Sequence, residues 1–174
     1  MGSRGSEVTP PQQQTERLLE VLANSGLDFV VVGGVAAIAH GATTATQDLD
    51  IAMQVDPDKI RKLLDALAPY RPAHFTRPDL PLIAANAESL ANFRLLLVET
   101  DLGRLDVLSE VEPFEGVADV PTVQLALLPE RLFTVIDLDA LIEVKAYVGR
   151  GKDKILEQEL RAVKEQRERV RDDE

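Results

Sequence analysis

Two aspartates stand two positions apart in an otherwise apolar run, Asp48-Leu-Asp-Ile51. Successive side chains of a strand point to opposite faces, so a strand here would send both carboxylates out on one face. Adjacent carboxylates repel each other unless a cation lies between them, and hard cations such as Mg²⁺ prefer oxygen ligands. A solvated strand edge is the plain alternative, but strands disfavour aspartate. The pair therefore indicates a divalent-metal dyad.

A glycine pair precedes this dyad, because the apolar run Phe29–Val32 ends at Gly33-Gly34 and a small-residue helical segment follows. A strand that feeds a tight glycine turn at a helix N-terminus suits an anion. Glycine pairs also end strands for structural reasons alone, and the spacing matches neither a Walker loop nor G-x-G-x-x-G. The joint pattern predicts a phosphate site beside a metal site, which is what phosphoryl or nucleotidyl transfer needs.

Lys145 interrupts the apolar stripe of a predicted helix, four residues after Leu141. A lysine at such a position either extends its ammonium group to solvent or meets an anion in a cleft, and the residues alone leave both open. Lys152 and Asp153 follow the helix break Gly149-Arg-Gly151, where Asp153 would serve as a helix cap.

The spacing of apolar residues and the positions of capping and turn residues predict the helices and strands that must position these side chains. Helices are expected after Thr9-Pro10-Pro11, after the glycine pair, after Asp56-Pro57, from Asp137 to about Val148, and from Asp153 onward. The proline-rich segment 70–92 predicts a loop with short pieces. Strands are expected at Leu27–Val32, around the aspartate pair, at Phe93–Glu99 and Arg104–Val111 joined by a turn at Gly103, and at Val123–Leu128 and Leu132–Ile136. The order predicts a mixed α/β or α+β domain.

Composition limits the classes of function. The chain has 174 residues and a formal net charge of −11, from 30 acidic and 19 basic residues. Such acidity disfavours general nucleic-acid binding, unless basic residues converge in one groove, the candidates being Arg71, Arg77, Arg94 and Arg104. There is no cysteine, which excludes disulfides and thiolate zinc sites and fits a cytoplasmic protein.

No apolar run approaches the roughly 20 residues of a membrane span, so no membrane association is expected. Residues 1–8 are interpreted as a flexible leader or tag remnant, and 9–174 as a single domain whose C-terminal helical part covers about 137–170. His40 falls at the end of the small-residue helix, where capping is the commoner role and a place in the cleft the alternative. His74 is given no role.

The run Val32-Gly-Gly34 followed by Asp48-Leu-Asp-Ile51 resembles the signature of the DNA polymerase β-like nucleotidyltransferase superfamily. It is most similar to the small stand-alone bacterial branch that includes the AbiEii-type toxin nucleotidyltransferases. Two further stretches match: Arg104-Leu-Asp-Val-Leu108, and Lys145 with Gly149-Arg-Gly-Lys-Asp153. The chain departs from the pattern at Thr43–Thr46, where relatives often carry a basic residue, and at Gly151, where proline is common.

The resemblance implies a nucleotidyltransferase-like mixed β-sheet flanked by helices. It implies that Asp48, Asp50 and Asp106 hold Mg²⁺, two ions being expected, and that Asp106 assists deprotonation of the acceptor. Gly33 and Gly34 would carry the triphosphate of a nucleotide substrate, with Lys145 in the cleft and Lys152 at the phosphates. Asp153 would cap its helix or anchor a basic group such as Lys145.

The expected reaction transfers a nucleoside monophosphate from a nucleoside triphosphate to an acceptor hydroxyl. A tRNA end, a protein and a small molecule all remain as acceptors, and the protein could be the toxin of a pair with a cognate antitoxin. One alternative is a catalytically weak binding or regulatory protein with the same fold. Another is an acidic α/β domain with surface aspartates, in which Asp106 would lie far from Asp48 and Asp50.

Overall fold

A computed structural model of the protein describes residues 12–80 and 82–174. Within these residues, seven strands form one mixed sheet: β1 Val30–Val32, β2 Asp48–Ala52, β3 Ala73–His74, β4 Leu95–Thr100, β5 Gly103–Leu108, β6 Thr122–Leu128 and β7 Arg131–Ile136. Their order across the sheet is β3-β4-β5-β2-β1-β7-β6. The expected mixed α/β architecture is confirmed.

The same residues contain six α-helices: α1 Thr15–Asn24, α2 Gly33–His40, α3 Pro57–Leu67, α4 Ala87–Leu90, α5 Leu138–Val148 and α6 Gly151–Asp172. Two begin as the sequence predicts. The Asp56 side chain accepts a hydrogen bond from the Lys59 amide at the start of α3, and Asp137 accepts one from Asp139 at the start of α5. Each bond satisfies an amide that has no partner within the helix. No described helix has both the length and the apolarity needed to cross a membrane.

The centre of the sheet determines which side chains meet. Strand β2 pairs antiparallel with β1 and parallel with β5. Because side chains alternate along β2, Leu49 and Ile51 are fully buried on the face opposite to Asp48 and Asp50. Helix α3 contacts both α1 and α4, and helices α2, α5 and α6 contact one another.

Several predicted boundaries were wrong by a few residues. Strand β1 begins at Val30 rather than Leu27, and α6 begins at Gly151, so Asp153 lies inside the helix and is not its cap. The leader 1–8 and the cap Thr9-Pro10-Pro11 lie outside the described residues; α1 itself begins at Thr15, after non-helical residues 12–14. Segment 70–92 contains short pieces, as predicted, including β3 and α4.

Candidate active site

Three carboxylates meet on one face of the sheet. In the strand register, Asp50 lies opposite Val32 of β1 on one side and Asp106 of β5 on the other. Asp48 is two residues earlier on β2 and therefore on the same face. One oxygen from each of Asp48, Asp50 and Asp106 lies within 4.8 Å of the others. The structure thus brings together the three aspartates that the sequence singled out, although 56 positions separate Asp50 from Asp106 in the chain.

Burial and mutual repulsion make this cluster unfavourable for negative charge. The pKa of Asp50 is raised to about 7, by burial first and then by the charges of Asp48 and Asp106, while the Lys145 ammonium opposes the rise. Burial likewise raises the pKa of Asp106, against the hydrogen bond from Arg104, which lowers it. Carboxylates that resist ionisation together gain most from a cation placed between them.

The chemistry of these donors fits a hard divalent ion. All three offer only carboxylate oxygen, the ligand class that Mg²⁺ prefers, whereas no cysteine is present in the chain to bind a softer metal. Asp48, Asp50 and Asp106 are therefore the residues that would hold Mg²⁺.

The glycine pair brings the N-terminus of α2 against the carboxylates. Gly33 has φ +65°, and a Cβ atom there would overlap the carboxylate of Asp50. A Cβ atom at Gly34 would lie 2.8 Å from the hydroxyl oxygen of Thr46. That hydroxyl donates to the backbone carbonyl and the side chain of Asp48, at 3.0 and 3.2 Å. Only residues without a side chain allow this approach.

Lys145 lies in the cleft, not in solvent. Its side chain is 17% exposed, and its Nζ donates to Asp153 Oδ1 at 3.3 Å. Asp153, only 3% exposed, also accepts a bond of 3.1 Å from Arg150. Burial raises the pKa of Asp153, but the two cations lower it by more, so the net shift is downward. Of the two roles considered for Asp153, the structure supports the anchor for Lys145.

A single cavity of about 630 Å³ contains the candidate groups. Its lining includes the three aspartates, both glycines and both lysines, which are Gly33, Gly34, Asp48, Asp50, Asp106, Lys145 and Lys152. Apolar side chains of β4 and β5 line the side next to Asp106, among them Leu95, Leu97 and Leu108. Apolar side chains of α5 and α6 also line the cavity, among them Val144 and Leu156, so apolar surface borders its polar groups.

Arg104 belongs to this site, although the sequence named it only as a candidate for a basic groove and gave it no role beside the aspartates. Its guanidinium group donates to both oxygens of Asp106, at 2.9 and 3.2 Å, and lies 4.0 Å from Asp48. The same group lies 4.1 Å from the ring centroid of Phe75. A signal was available for the first contact, since Arg104 precedes Asp106 by two positions and shares its face. Phe75 lies in the segment that the sequence left uninterpreted.

The other three candidate arginines do not form a basic groove. Each is paired with a carboxylate at the surface: Arg71 with Asp101 at 2.9 Å, Arg77 with Asp79 at 3.3 Å, and Arg94 with Glu110 at 2.7 Å. None of the three lines the cavity. The sequence allowed a nucleic-acid partner only if basic residues converged in one groove, and these three arginines do not converge in one.

His40 is buried away from the cavity. Its Nε2 donates to the carbonyl of Ile136 at the end of β7, at 2.7 Å, so it ties α2 to the sheet. Both earlier interpretations, a helix cap and a cleft residue, were wrong. His74 accepts a hydrogen bond from the Arg77 amide within its own turn.

Comparison with known proteins identifies the fold. No family model matches the chain, and no curated protein does. The chain superposes on the crystal structure of the lincosamide antibiotic adenylyltransferase LnuA, with lincomycin bound, with a TM-score of 0.58 over 89% of this chain and 99% of that one, at 12% identity. The fold is nucleotidyltransferase-like.

A second solved structure, ANT(2'')-Ia in complex with adenylyl-2''-tobramycin, is similar over 84% of this chain and 94% of that one, at 14% identity and a TM-score of 0.46. At such identities the likeness to LnuA establishes the fold alone.

Proposed function

We propose that the protein is a Mg²⁺-dependent nucleotidyltransferase, which moves a nucleoside monophosphate from a nucleoside triphosphate to an acceptor hydroxyl. One observation carries this proposal: Asp48, Asp50 and Asp106 converge beside the Gly33-Gly34 turn in a cavity large enough for a nucleotide. The nucleotidyltransferase-like fold supports it.

The chain's own residues divide the work between metal and phosphate. Asp48, Asp50 and Asp106 would hold two Mg²⁺ ions, whose charge when bound stabilises the attacking and leaving oxygens of a phosphoryl transfer. Lys145 is held by Asp153 within the cavity, and Lys152 lines the same cavity. These two ammonium groups would offset negative charge on the triphosphate.

Asp106 belongs both to the acidic cluster and to the side of the cavity lined by Leu95, Leu97 and Leu108. Its pKa is raised by burial, and a carboxylate whose pKa lies nearer to neutrality is a better proton acceptor at neutral pH. The acceptor would lie beside these apolar side chains, next to Asp106. We propose that Asp106 both holds metal and receives the proton of the acceptor hydroxyl.

The acceptor is narrowed by charge. Because Arg71, Arg77 and Arg94 are paired with carboxylates and none of them lines the cavity, these arginines do not support a tRNA end, and we propose a small molecule or a protein as the acceptor. The solved structures of LnuA and ANT(2'')-Ia contain an antibiotic and an adenylylated antibiotic, and a small hydroxyl compound is accordingly the first acceptor to test. The toxin role and a cognate antitoxin stay predictions.

Transfer from labelled nucleotides to mixtures of small molecules, protein and RNA tests the proposal. Wild type should label an acceptor only with Mg²⁺ present, and Asp48→Asn combined with Asp50→Asn should reduce labelling to background, because two of the three metal ligands lose their charge. Asp58→Asn combined with Asp65→Asn is the matched control on α3, outside the cavity, and should keep wild-type activity. Full labelling by the Asp48/Asp50 variant would contradict the mechanism.

The pairing of Arg104 with Asp106 favours a second candidate, a catalytically weak binding or regulatory protein, because it already neutralises one metal ligand. Calorimetry with ATP, GTP, CTP and UTP separates the two. A nucleotidyltransferase should bind at least one of them in a Mg²⁺-dependent manner, whereas a pure interaction module should show no such binding.

A further inference from the structure

Arg104 satisfies the acidic cluster without any metal. Its guanidinium group engages both oxygens of Asp106 and lies within 4.0 Å of Asp48, so one cation serves two of the three carboxylates. Charge-assisted bonds of this forked kind are among the strongest that side chains make. A divalent cation at this site would bind to the same carboxylate oxygens.

The two cations cannot share these oxygens without cost. A carboxylate offers about four acceptor positions, and Arg104 takes one on each oxygen of Asp106. A guanidinium group also keeps its charge at any accessible pH, so it cannot deprotonate to make room. Repulsion between Arg104 and an incoming divalent ion therefore has to be relieved by moving the side chain.

Phe75 holds the guanidinium group in this place. The ring lies 4.1 Å from the Arg104 Cζ atom, within the range of a cation–π contact. Its backbone amide donates to the Leu97 carbonyl at 3.0 Å, and Leu97 is the register partner of Asp106. The ring is thus fixed to the strand beside the third carboxylate. Phe75 is 42% exposed, so core packing does not explain its position.

We propose that Arg104 is a built-in counter-ion of the acidic cluster and that Phe75 holds it there. A divalent cation must displace the Arg104 side chain in order to bind, so Arg104 and Phe75 together set the affinity of the site for metal. The inference rests on the proposed function only for the identity of the metal ligands. Arg104 and Phe75 act here as positioning residues, since neither is required to contact a nucleotide.

The rival role for Arg104 predicts the opposite sign. A fixed outer partner that orients Asp106 toward the metal would improve binding, and losing such a partner typically weakens metal affinity by about 10- to 100-fold. A displaced counter-ion weakens binding, and its removal strengthens it. Metal affinity alone therefore separates the two roles.

Calorimetric titration of the metal-free protein with Mn²⁺ and Mg²⁺ is the test. Arg104→Gln should bind metal about tenfold more tightly than wild type, the size expected for one hydrogen bond to a charged group. Phe75→Ala should bind more tightly by a smaller factor and should have no further effect in the Arg104→Gln background. Equal or weaker binding by Arg104→Gln, or an equal effect of Phe75→Ala in both backgrounds, would overturn the inference.

Two controls keep the result interpretable. Arg71→Gln removes the same charge from a pair outside the cavity and should leave affinity unchanged; if it tightens binding as much as Arg104→Gln, the effect is general charge and the inference fails. Should Arg104→Gln not fold, Arg104→Lys is the replacement, because it keeps the charge, loses the forked bond, and should still bind metal more tightly.

Different results would contradict the proposed function and the counter-ion role of Arg104. If Asp48→Asn with Asp50→Asn binds metal as wild type does, the aspartates are not the ligands and both ideas fall. If that variant loses binding while Arg104→Gln binds no more tightly than wild type, only the counter-ion role falls.

Discussion

Among single residues, Asp50 carries the largest electrostatic cost. Its pKa of about 7 lies well above the value near 3.9 of an aspartate in an unfolded chain. Between these two values the folded state holds a proton that the unfolded state has released. The free energy of unfolding of the metal-free protein therefore falls as pH rises through this window.

The direction of this pH dependence can be measured by thermal unfolding. In chelator, the melting temperature should decrease from pH 5 to pH 8, by an amount that corresponds to a few kcal/mol at most, because each pKa unit is worth about 1.4 kcal/mol. Asp50→Asn should flatten the decrease, and excess Mg²⁺ should do the same in wild type by replacing the proton. Asp58→Asn, on the exposed face of α3, is the control that should keep the slope. A melting temperature that rises over this range would contradict the assignment.

At the scale of elements, the junction of β1 and α2 depends on Gly33. Alanine there would meet two costs, a positive φ that side chains disfavour and an overlap with the Asp50 carboxylate. Gly26 provides the matched control, since its φ is +77° but a Cβ atom would meet nothing within 4 Å.

We expect Gly26→Ala to lower the melting temperature by about 2–4 °C, the equivalent of about 1 kcal/mol in a chain of this size, and to leave metal binding unchanged. Gly33→Ala should lower it further and should abolish metal binding, because the carboxylate has to move. Thermal melts and calorimetry of both variants measure the two effects. Equal behaviour of the two alanine variants would show that the close approach to Asp50 does not matter.

Local pattern was sufficient for the elements that carry the site. Alternation placed Asp48 and Asp50 on one face of β2, and the capping aspartates located α3 and α5. The placement of Asp106 beside Asp50 depends on the parallel pairing of β2 with β5, which joins residues more than 50 positions apart. No local propensity encodes such a pairing, and only the family resemblance brought Asp106 into the prediction.

The contacts of Arg104 and Lys145 show where sequence reasoning reached its limit. The Lys145–Asp153 bond crosses the break between α5 and α6. It was one of the two roles predicted for Asp153, because the two residues are only eight positions apart. The Arg104–Phe75 contact joins β5 to a proline-rich segment without periodicity. Side-chain geometry across three strands decides it, and sequence spacing does not contain that information.

Over the whole molecule, charge determines which partners can approach. The net charge of −11 repels polyanions at long range. The sequence's candidates for a basic groove outside the cavity, Arg71, Arg77 and Arg94, each face a carboxylate. Binding to nucleic acid requires several cations that can release counter-ions from phosphates. Of the cations that line the cavity, Arg104, Lys145 and Arg150 are also paired with aspartates.

The expected outcome is that labelled tRNA shows no binding in fluorescence anisotropy up to about 100 μM protein near physiological salt. Non-specific binding with the usual Kd of about 10⁻⁴–10⁻⁶ M requires free cations, which wild type does not offer at these arginines. Asp101→Asn combined with Glu110→Gln frees Arg71 and Arg94 without touching the cavity. This variant should gain weak tRNA binding. Its affinity should fall between 50 and 200 mM salt, with a slope that reflects the two arginines made free to contact phosphates. Tight, salt-sensitive binding by wild type would mean that the paired arginines exchange their carboxylates for phosphates, and would return RNA to the candidate acceptors.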